Sequence, residues 1–119
     1  MIAVIFEVET ADGRQSVYLD IAAEMRPLLD QVEGFISVER FQSFSDPNKI
    51  LSLSFFENEE AIRQWRNLSA HRNAQARGRN GVFEDYRLRI AHVVRDYGML
   101  DRAEAPADSR EAHDESREP

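Results

Sequence analysis

The chain has 119 residues, 42% hydrophobic and 31% charged, which predicts one globular domain with a single core. It contains no cysteine, which excludes disulfides, thiolate metal sites and cysteine nucleophiles. The apolar N-terminal stretch lacks a basic segment, and no run approaches the roughly 18 apolar residues of a membrane span. We therefore expect a cytoplasmic protein with no membrane partner.

The net charge of −7 conceals a cationic block within an acidic chain. Residues 63–95 carry eight arginines and two acids, whereas residues 1–62 carry twelve acids and four bases. Arginine suits planar, bidentate contacts with anions. Two interpretations stay open: the arginines pair with the acidic flanks on a solvated face, or one or two of them face an anionic ligand.

The first half of the chain predicts a strand and a helix. Residues 2–9 are β-branched and aromatic, with a wholly apolar face, and are typical of a strand. From about residue 16 to residue 33, apolar residues recur at spacings of three and four, which predicts an amphipathic helix. Pro27 is expected to kink or loosen this helix, and Gly34 to act as its left-handed C-cap.

The second half predicts a hairpin, a helix and a final strand. Residues 35–44 and 49–56 are typical of strands, and the short connection between them predicts an antiparallel pair. Asn58 is placed to cap the next helix, and a shorter helical turn is expected to restart at Ser69 or Asn73. Residues 82–95 alternate as a long fourth strand.

The resulting order, β-α-β-β-α-β, predicts a ferredoxin-like α+β fold with both helices on one face of a four-stranded antiparallel sheet. The other face of the sheet is also apolar, so we expect a homodimer that packs sheet on sheet. Residues 1–100 form the expected domain. Residues 101–119 contain no aliphatic residue larger than Ala apart from the Pro residues, and they predict an acidic, disordered tail.

Five segments together carry a family resemblance that covers roughly residues 1–98. They are GFISVERFQS, LSLSFF, ENEEAIRQW, AHRNAQARGR and FEDYRLRIAHVVRDYG. In this order the chain resembles the antibiotic biosynthesis monooxygenase (ABM) domain family. The resemblance implies a dimeric α/β barrel with a pocket between the helices and the sheet of each subunit. It also implies either a cofactor-free oxygenase acting on quinol-like aromatics or a haem-degrading enzyme.

The chain departs from the haem-degrading branch of that family. Its first strand has no Asn, and Trp65 and His71 are only six residues apart. Family members often carry Trp where this chain has Phe56. We therefore expect no cofactor, with haem as the less favoured alternative.

The candidate catalytic residues are Trp65, His71 and Arg72. Trp65 is either a core aromatic or a pocket wall whose indole N–H donates to a bound oxygen. On a continuous helix His71 would stand roughly 240° from Trp65, but a break near Ser69 would turn it towards the pocket, where it could act as a base. Arg72 or Arg89 would supply the cation.

The candidate substrate-binding residues are Tyr86, Arg89 and His92, all in the predicted fourth strand. Tyr86 and His92 share one face of that strand, and Arg89 lies on the other. Each has a structural alternative: Tyr86 as a core residue, Arg89 in an ion pair, and His92 satisfied within the sheet or an interface.

Two main functions remain open on the sequence, beside the less favoured haem-degrading enzyme. The favoured one is a cofactor-independent monooxygenase that binds a small electron-rich aromatic such as a quinol. The alternative is a non-catalytic, ligand-binding or stress-related dimer, which predicts a filled pocket and a solvated His71. Nucleic-acid binding is not expected, because the RNA-recognition pattern is missing and the net charge is negative. The scattered histidines give no metal-ligand spacing.

Overall fold

The computed structural model describes residues 1–114 of the chain. Eight regular elements follow one another, with a wide turn at Gly78–Val82 before the last strand. They are β1 (Ile2–Thr10), α1 (Gln15–Leu29), β2 (Phe35–Gln42), β3 (Lys49–Phe56), α2 (Glu59–Asn67), α3 (Ser69–Arg77), β4 (Phe83–His92) and α4 (Ala107–His113).

The four strands form one antiparallel sheet in the order β2-β3-β1-β4. This is the ferredoxin-like order, and the predicted β2–β3 hairpin is confirmed. Within residues 1–114 there is no helix with the length and apolar character that a membrane crossing requires.

Helix α1 ends four residues earlier than the periodicity suggested. It stops at Leu29, two residues after Pro27, and the chain then tightens into short turns in which the Gln31 and Val32 N–H groups donate to carbonyls three residues back. Gly34 does have the predicted left-handed backbone, with φ of +92°. However, it leads into β2 instead of capping α1, so the capping prediction was wrong.

Strand alternation directs one face of the sheet towards the helices. On β1 this face carries Val4 and Phe6, and the register sets Ser54 and Ser52 of β3 beside them. Two core clusters fill the ends of the helix–sheet layer. One surrounds Phe56 and Ile62 together with Ile2, Leu29 and Ala61; the other comprises Val8, Tyr18, Ile50 and Val82. The layer between these two clusters holds the cavity described below.

The second helical segment is two helices with a sharp break. Asn58 caps α2 as predicted, its Oδ1 accepting the Ala61 N–H at 2.9 Å. At Leu68 the backbone turns to an extended conformation, with φ of −64° and ψ of 135°, before α3 begins at Ser69. The break considered near Ser69 is therefore present. It lies at Leu68, and α3 begins at the next residue.

The C-terminal segment contains regular structure that its composition did not predict. Residues 107–113 form α4, and Arg102 donates to Asp114 Oδ1 at 2.9 Å and to Ser109 Oγ at 2.7 Å. Arginine hydrogen bonds therefore hold this segment together. The division of the chain at residue 100 stays a prediction, and residues 115–119 lie outside the described part.

Candidate active site

A cavity of about 470 Å³ lies between the sheet and helices α1, α2 and α3. Its floor is the helix-facing side of all four strands, and its apolar lining includes Val4, Ile21, Met25, Leu29, Leu88 and Ile90. A pocket of this size and composition suits a small organic molecule.

One wall of the cavity is a cluster of aromatic rings. The Phe6 ring lies 5.5 Å from Tyr86 and 5.9 Å from Phe83, centroid to centroid, and Phe83 lies 5.6 Å from Tyr18. Tilted and edge-to-face pairs at these distances are favourable and hold the rings in place. The wall therefore offers an ordered surface to a flat or apolar ligand.

Trp65 and His71 lie together on the opposite side of the cavity. Their ring centroids are 4.7 Å apart and their planes are inclined by 37°. Trp65 also packs against the core cluster around Phe56, and this contact holds the indole in place. The extended backbone at Leu68 makes this contact possible, because it redirects α3 after α2 has ended.

The environment of His71 favours the neutral imidazole. Burial lowers its pKa below the ordinary value of 6.5; a hydrogen bond with the Arg66 carbonyl opposes this shift, and the Arg72 charge adds to it. The Nδ1 atom lies 3.4 Å from that carbonyl oxygen. Because a carbonyl can only accept, this contact assigns the proton to Nδ1 and leaves Nε2 as an acceptor.

Arg72 and Tyr86 also line the cavity. Arg72 donates from Nη2 to Asn67 Oδ1 at 2.9 Å and from Nη1 to Gln75 Oε1 at 3.4 Å. The Tyr86 hydroxyl accepts from Arg79 Nη1 at 3.1 Å. Arg72 and Arg79 are thus hydrogen-bonded to neutral partners, and neither forms an ion pair within residues 1–114.

Arg89 and His92 do not line the cavity. Arg89 pairs in register with Ile5 on the far face of the sheet, where its Nη1 lies 3.4 Å from Glu7 Oε2. His92 is on the near face, but it is opposite Ile2 at the end of β4, about 20 Å along the strand from Tyr86. Neither side chain lines the cavity that Trp65 and His71 line, and their assignment to substrate binding is therefore withdrawn.

The sequence reading missed a polar group on the cavity floor. Arg40 of β2 and Ser52 of β3 are register partners, Ser54 is the next helix-facing residue on β3, and Tyr18 of α1 stands above them. The signal was available: in LSLSFF the alternation that sets Leu51 and Leu53 on one face places the hydroxyls of Ser52 and Ser54 on the other. Two serines on the sheet face that packs towards the helices indicate a cavity with a polar lining instead of a filled apolar core.

No group of three His, Cys, Asp or Glu side chains within residues 1–114 could hold a metal ion. The cavity lining includes five arginines and one histidine, but no Asp or Glu among the described residues. Its electrostatic character is therefore cationic.

Comparisons with known proteins agree with this architecture. The chain is 45% identical over 94 residues to jasmonate monooxygenase ABM of Pyricularia oryzae, which covers 79% of this chain but only 44% of that protein. It is 29% identical to the uncharacterized protein YqjZ of Bacillus subtilis, covering 78% of this chain and 79% of the relative.

Among solved structures, SnoaB, a cofactor-independent oxygenase from Streptomyces nogalater, superposes with a TM-score of 0.71 at 7% identity. The match covers 80% of this chain and 94% of SnoaB, and at such low identity it shows the shared fold alone. The family model described as "Antibiotic biosynthesis monooxygenase" matches residues 1–77. The chain belongs to the antibiotic biosynthesis monooxygenase family.

Proposed function

We propose that this chain is a cofactor-independent monooxygenase that oxidises an electron-rich small molecule in the cavity between the helices and the sheet. The observation that carries the proposal is the contact between Trp65 and His71 at the edge of an open, apolar cavity. The non-catalytic, ligand-binding or stress-related dimer predicts a filled pocket and a solvated His71, whereas His71 lines an open cavity.

In this proposal His71 is the base. Its Nε2 accepts a phenolic or enolic proton, and its lowered pKa keeps it unprotonated at neutral pH. Trp65 forms the wall and offers its indole N–H, and Arg72 stabilises the resulting anion from the rim. Tyr86 and the aromatic wall hold the body of the substrate.

The electrons for the reaction come from the substrate. In the keto tautomer of a quinol-like substrate, a ring CH₂ carbon loses two hydrogens and gains one oxygen atom as a carbonyl, while the second oxygen atom leaves with those hydrogens as water. A substrate that cannot supply these electrons needs an external two-electron reductant. The relative named as a jasmonate monooxygenase makes jasmonate a second substrate to test.

Oxygen uptake tests the proposal directly. Purified protein is given a panel of quinols and jasmonate, each with and without NADPH, in an oxygen electrode. We expect uptake with at least one compound, lowered by about a hundredfold or more in His71→Asn. His92→Asn, the same substitution outside the cavity, is the matched control and should keep full activity. If no compound gives uptake, the proposed function is wrong.

We further propose that the chain acts as a homodimer through the sheet face turned away from the helices. That face carries Ile5, Leu51, Leu53 and Phe55, all only partly covered within one chain. Analytical ultracentrifugation should give a dimer for the wild type and a shift towards monomer for Leu53→Arg. A monomer in both would reject this arrangement.

A further inference from the structure

Arg40 is the most enclosed of the arginines that line the cavity. The other four are solvent-exposed and stand at its rim: Arg26, Arg66, Arg72 and Arg79. Arg40 projects from β2 on the sheet floor and is only partly exposed. A cation in such a position is costly unless a partner or a ligand compensates its charge.

Within residues 1–114 no carboxylate pairs with Arg40. Its Nε donates to the Tyr18 hydroxyl at 3.2 Å, and its guanidinium lies 5.8 Å from the centre of the Tyr18 ring. Its two Nη groups donate to no residue in the described part of the chain. Tyr18 thus holds the guanidinium in place, and its two Nη groups stay available to donate to a ligand.

Two serine hydroxyls lie beside this cation. Ser52 and Ser54 are each 8% exposed, and neither hydroxyl hydrogen bonds to any residue among 1–114. Within residues 1–114, every fully buried side-chain N or O atom has a hydrogen-bond partner. Because the two serine oxygens have none, they are not fully buried and remain accessible from the cavity. The Tyr18 hydroxyl accepts from Arg40 and has its own proton to donate.

Together these four groups form a cluster of hydrogen-bond donors that no carboxylate within residues 1–114 neutralises. We propose that Arg40, Ser52, Ser54 and Tyr18 bind the carboxylate of a small amphipathic acid whose apolar body extends along the cavity towards Trp65. An end-on pair of Nη donors matches the two oxygens of a carboxylate, and hydroxyls supplement it. The aromatic wall and the aliphatic floor receive the apolar body.

The lack of acidic residues in the lining supports this assignment. Each of the arginines Arg40, Arg66, Arg72 and Arg79 lacks an ion pair within residues 1–114, although the chain as a whole is acidic. A neutral ligand would leave these charges uncompensated, whereas an anion is attracted into the cavity by all of them. The assignment deepens the proposed function, since the bound acid would be the substrate.

Isothermal titration calorimetry with a matched pair of probes tests the assignment. Cyclohexylacetate and cyclohexylacetamide have nearly the same shape, but only the first is an anion. We expect wild-type protein to bind the acid roughly tenfold to a hundredfold more tightly than the amide, because charge-assisted hydrogen bonds are made only to the acid. This preference should weaken as the NaCl concentration rises.

Variants show which side chains cause the preference for the acid over the amide. Arg40→Met should remove it, whereas Arg89→Met, the same substitution on the far face of the sheet, should retain it. The double variant Ser52→Ala with Ser54→Ala should reduce the preference for the acid without changing any charge. If circular dichroism shows that Arg40→Met does not fold, this double variant is the deciding one. Equal binding of acid and amide, no measurable binding of the acid, or an unchanged preference in the deciding variant would overturn the assignment.

Calorimetry and oxygen uptake together distinguish a failure of this assignment from a failure of the proposed function. A clear acid preference in a protein that consumes no oxygen would leave the carboxylate site intact and reject the monooxygenase. Oxygen uptake with a neutral substrate, unchanged in Arg40→Met, would support the monooxygenase and reject the carboxylate site.

Discussion

The imidazole of His71 packs against the indole of Trp65 with 4.7 Å between ring centroids, although the two residues would face different directions on one continuous helix. The extended conformation of Leu68 separates α2 from α3 and brings the rings together. Trp65 therefore contributes to the burial that sets the protonation state of His71.

Removal of the indole should raise the pKa of His71. Burial is the main cause of its lowered pKa, so Trp65→Ala should move the pKa up towards 6.5. NMR titration of the imidazole nitrogens measures it, with His71→Asn used to assign the signal among the three histidines.

Trp65→Phe keeps an aromatic cover and serves as the control, which should change the pKa less than Trp65→Ala does. Arg72→Gln should also raise the pKa, because it removes a positive charge that disfavours the imidazolium. If the pKa is the same in wild type and Trp65→Ala, the ring contact does not govern the titration.

The acid limb of the pH profile follows from the same shift. Because the pKa of His71 is lowered, the neutral base persists as the pH falls through 6.5, and kcat/KM should decline only below that value. Arg72→Gln should move this limb to higher pH. A limb above 6.5 in the wild type would contradict the assignment of His71 as the base.

Gly78 is expected to be intolerant of a side chain. A Cβ at this buried position would stand 2.4 Å from Cε2 of Phe83, a ring of the aromatic wall. Gly78→Ala should therefore lower the free energy of unfolding by about 1–3 kcal/mol and displace that ring. Urea denaturation measures the loss.

Gly98 is the matched control, since a Cβ there meets no atom of residues 1–114 within 4 Å. Gly98→Ala should change the free energy of unfolding by no more than about 0.5 kcal/mol. Equal stability of the two alanine variants would show that Phe83 does not pack as described.

The start of α2 depends on one side-chain hydrogen bond. Asn58 Oδ1 accepts the Ala61 N–H, and Asn58→Ala should lower the free energy of unfolding by about 1 kcal/mol. Asn58→Asp keeps an acceptor next to the helix N-terminus and should retain the wild-type stability. A loss in Asn58→Asp equal to that in Asn58→Ala would mean that the cap is not what stabilises α2.

The sequence predicted the strand pattern better than the site. Alternation identified β1 and the helix-facing position of Phe6, because a period of two depends only on local backbone geometry. A break near Ser69 was one of two possibilities that the sequence allowed. The sequence could not establish that His71 meets Trp65, because the direction of α3 depends on the backbone angles at Leu68.

The polar floor shows a second limit of the sequence. Arg40 and Ser52 are twelve residues apart, and only the register between β2 and β3 makes them neighbours. Alternation along β4 placed Arg89 on the opposite face from Tyr86, but it could not show that its partner is Glu7, which lies on another strand. Contacts across strands require the register, which residue patterns along the chain do not supply.

Isotope incorporation tests the central claim most directly. With ¹⁸O₂ and a substrate that supports uptake, mass spectrometry of the product should show one labelled oxygen atom, formed at the full rate by His92→Asn and about a hundredfold or more slowly by His71→Asn. Unlabelled product, or labelled product formed by His71→Asn at the wild-type rate, would contradict the account.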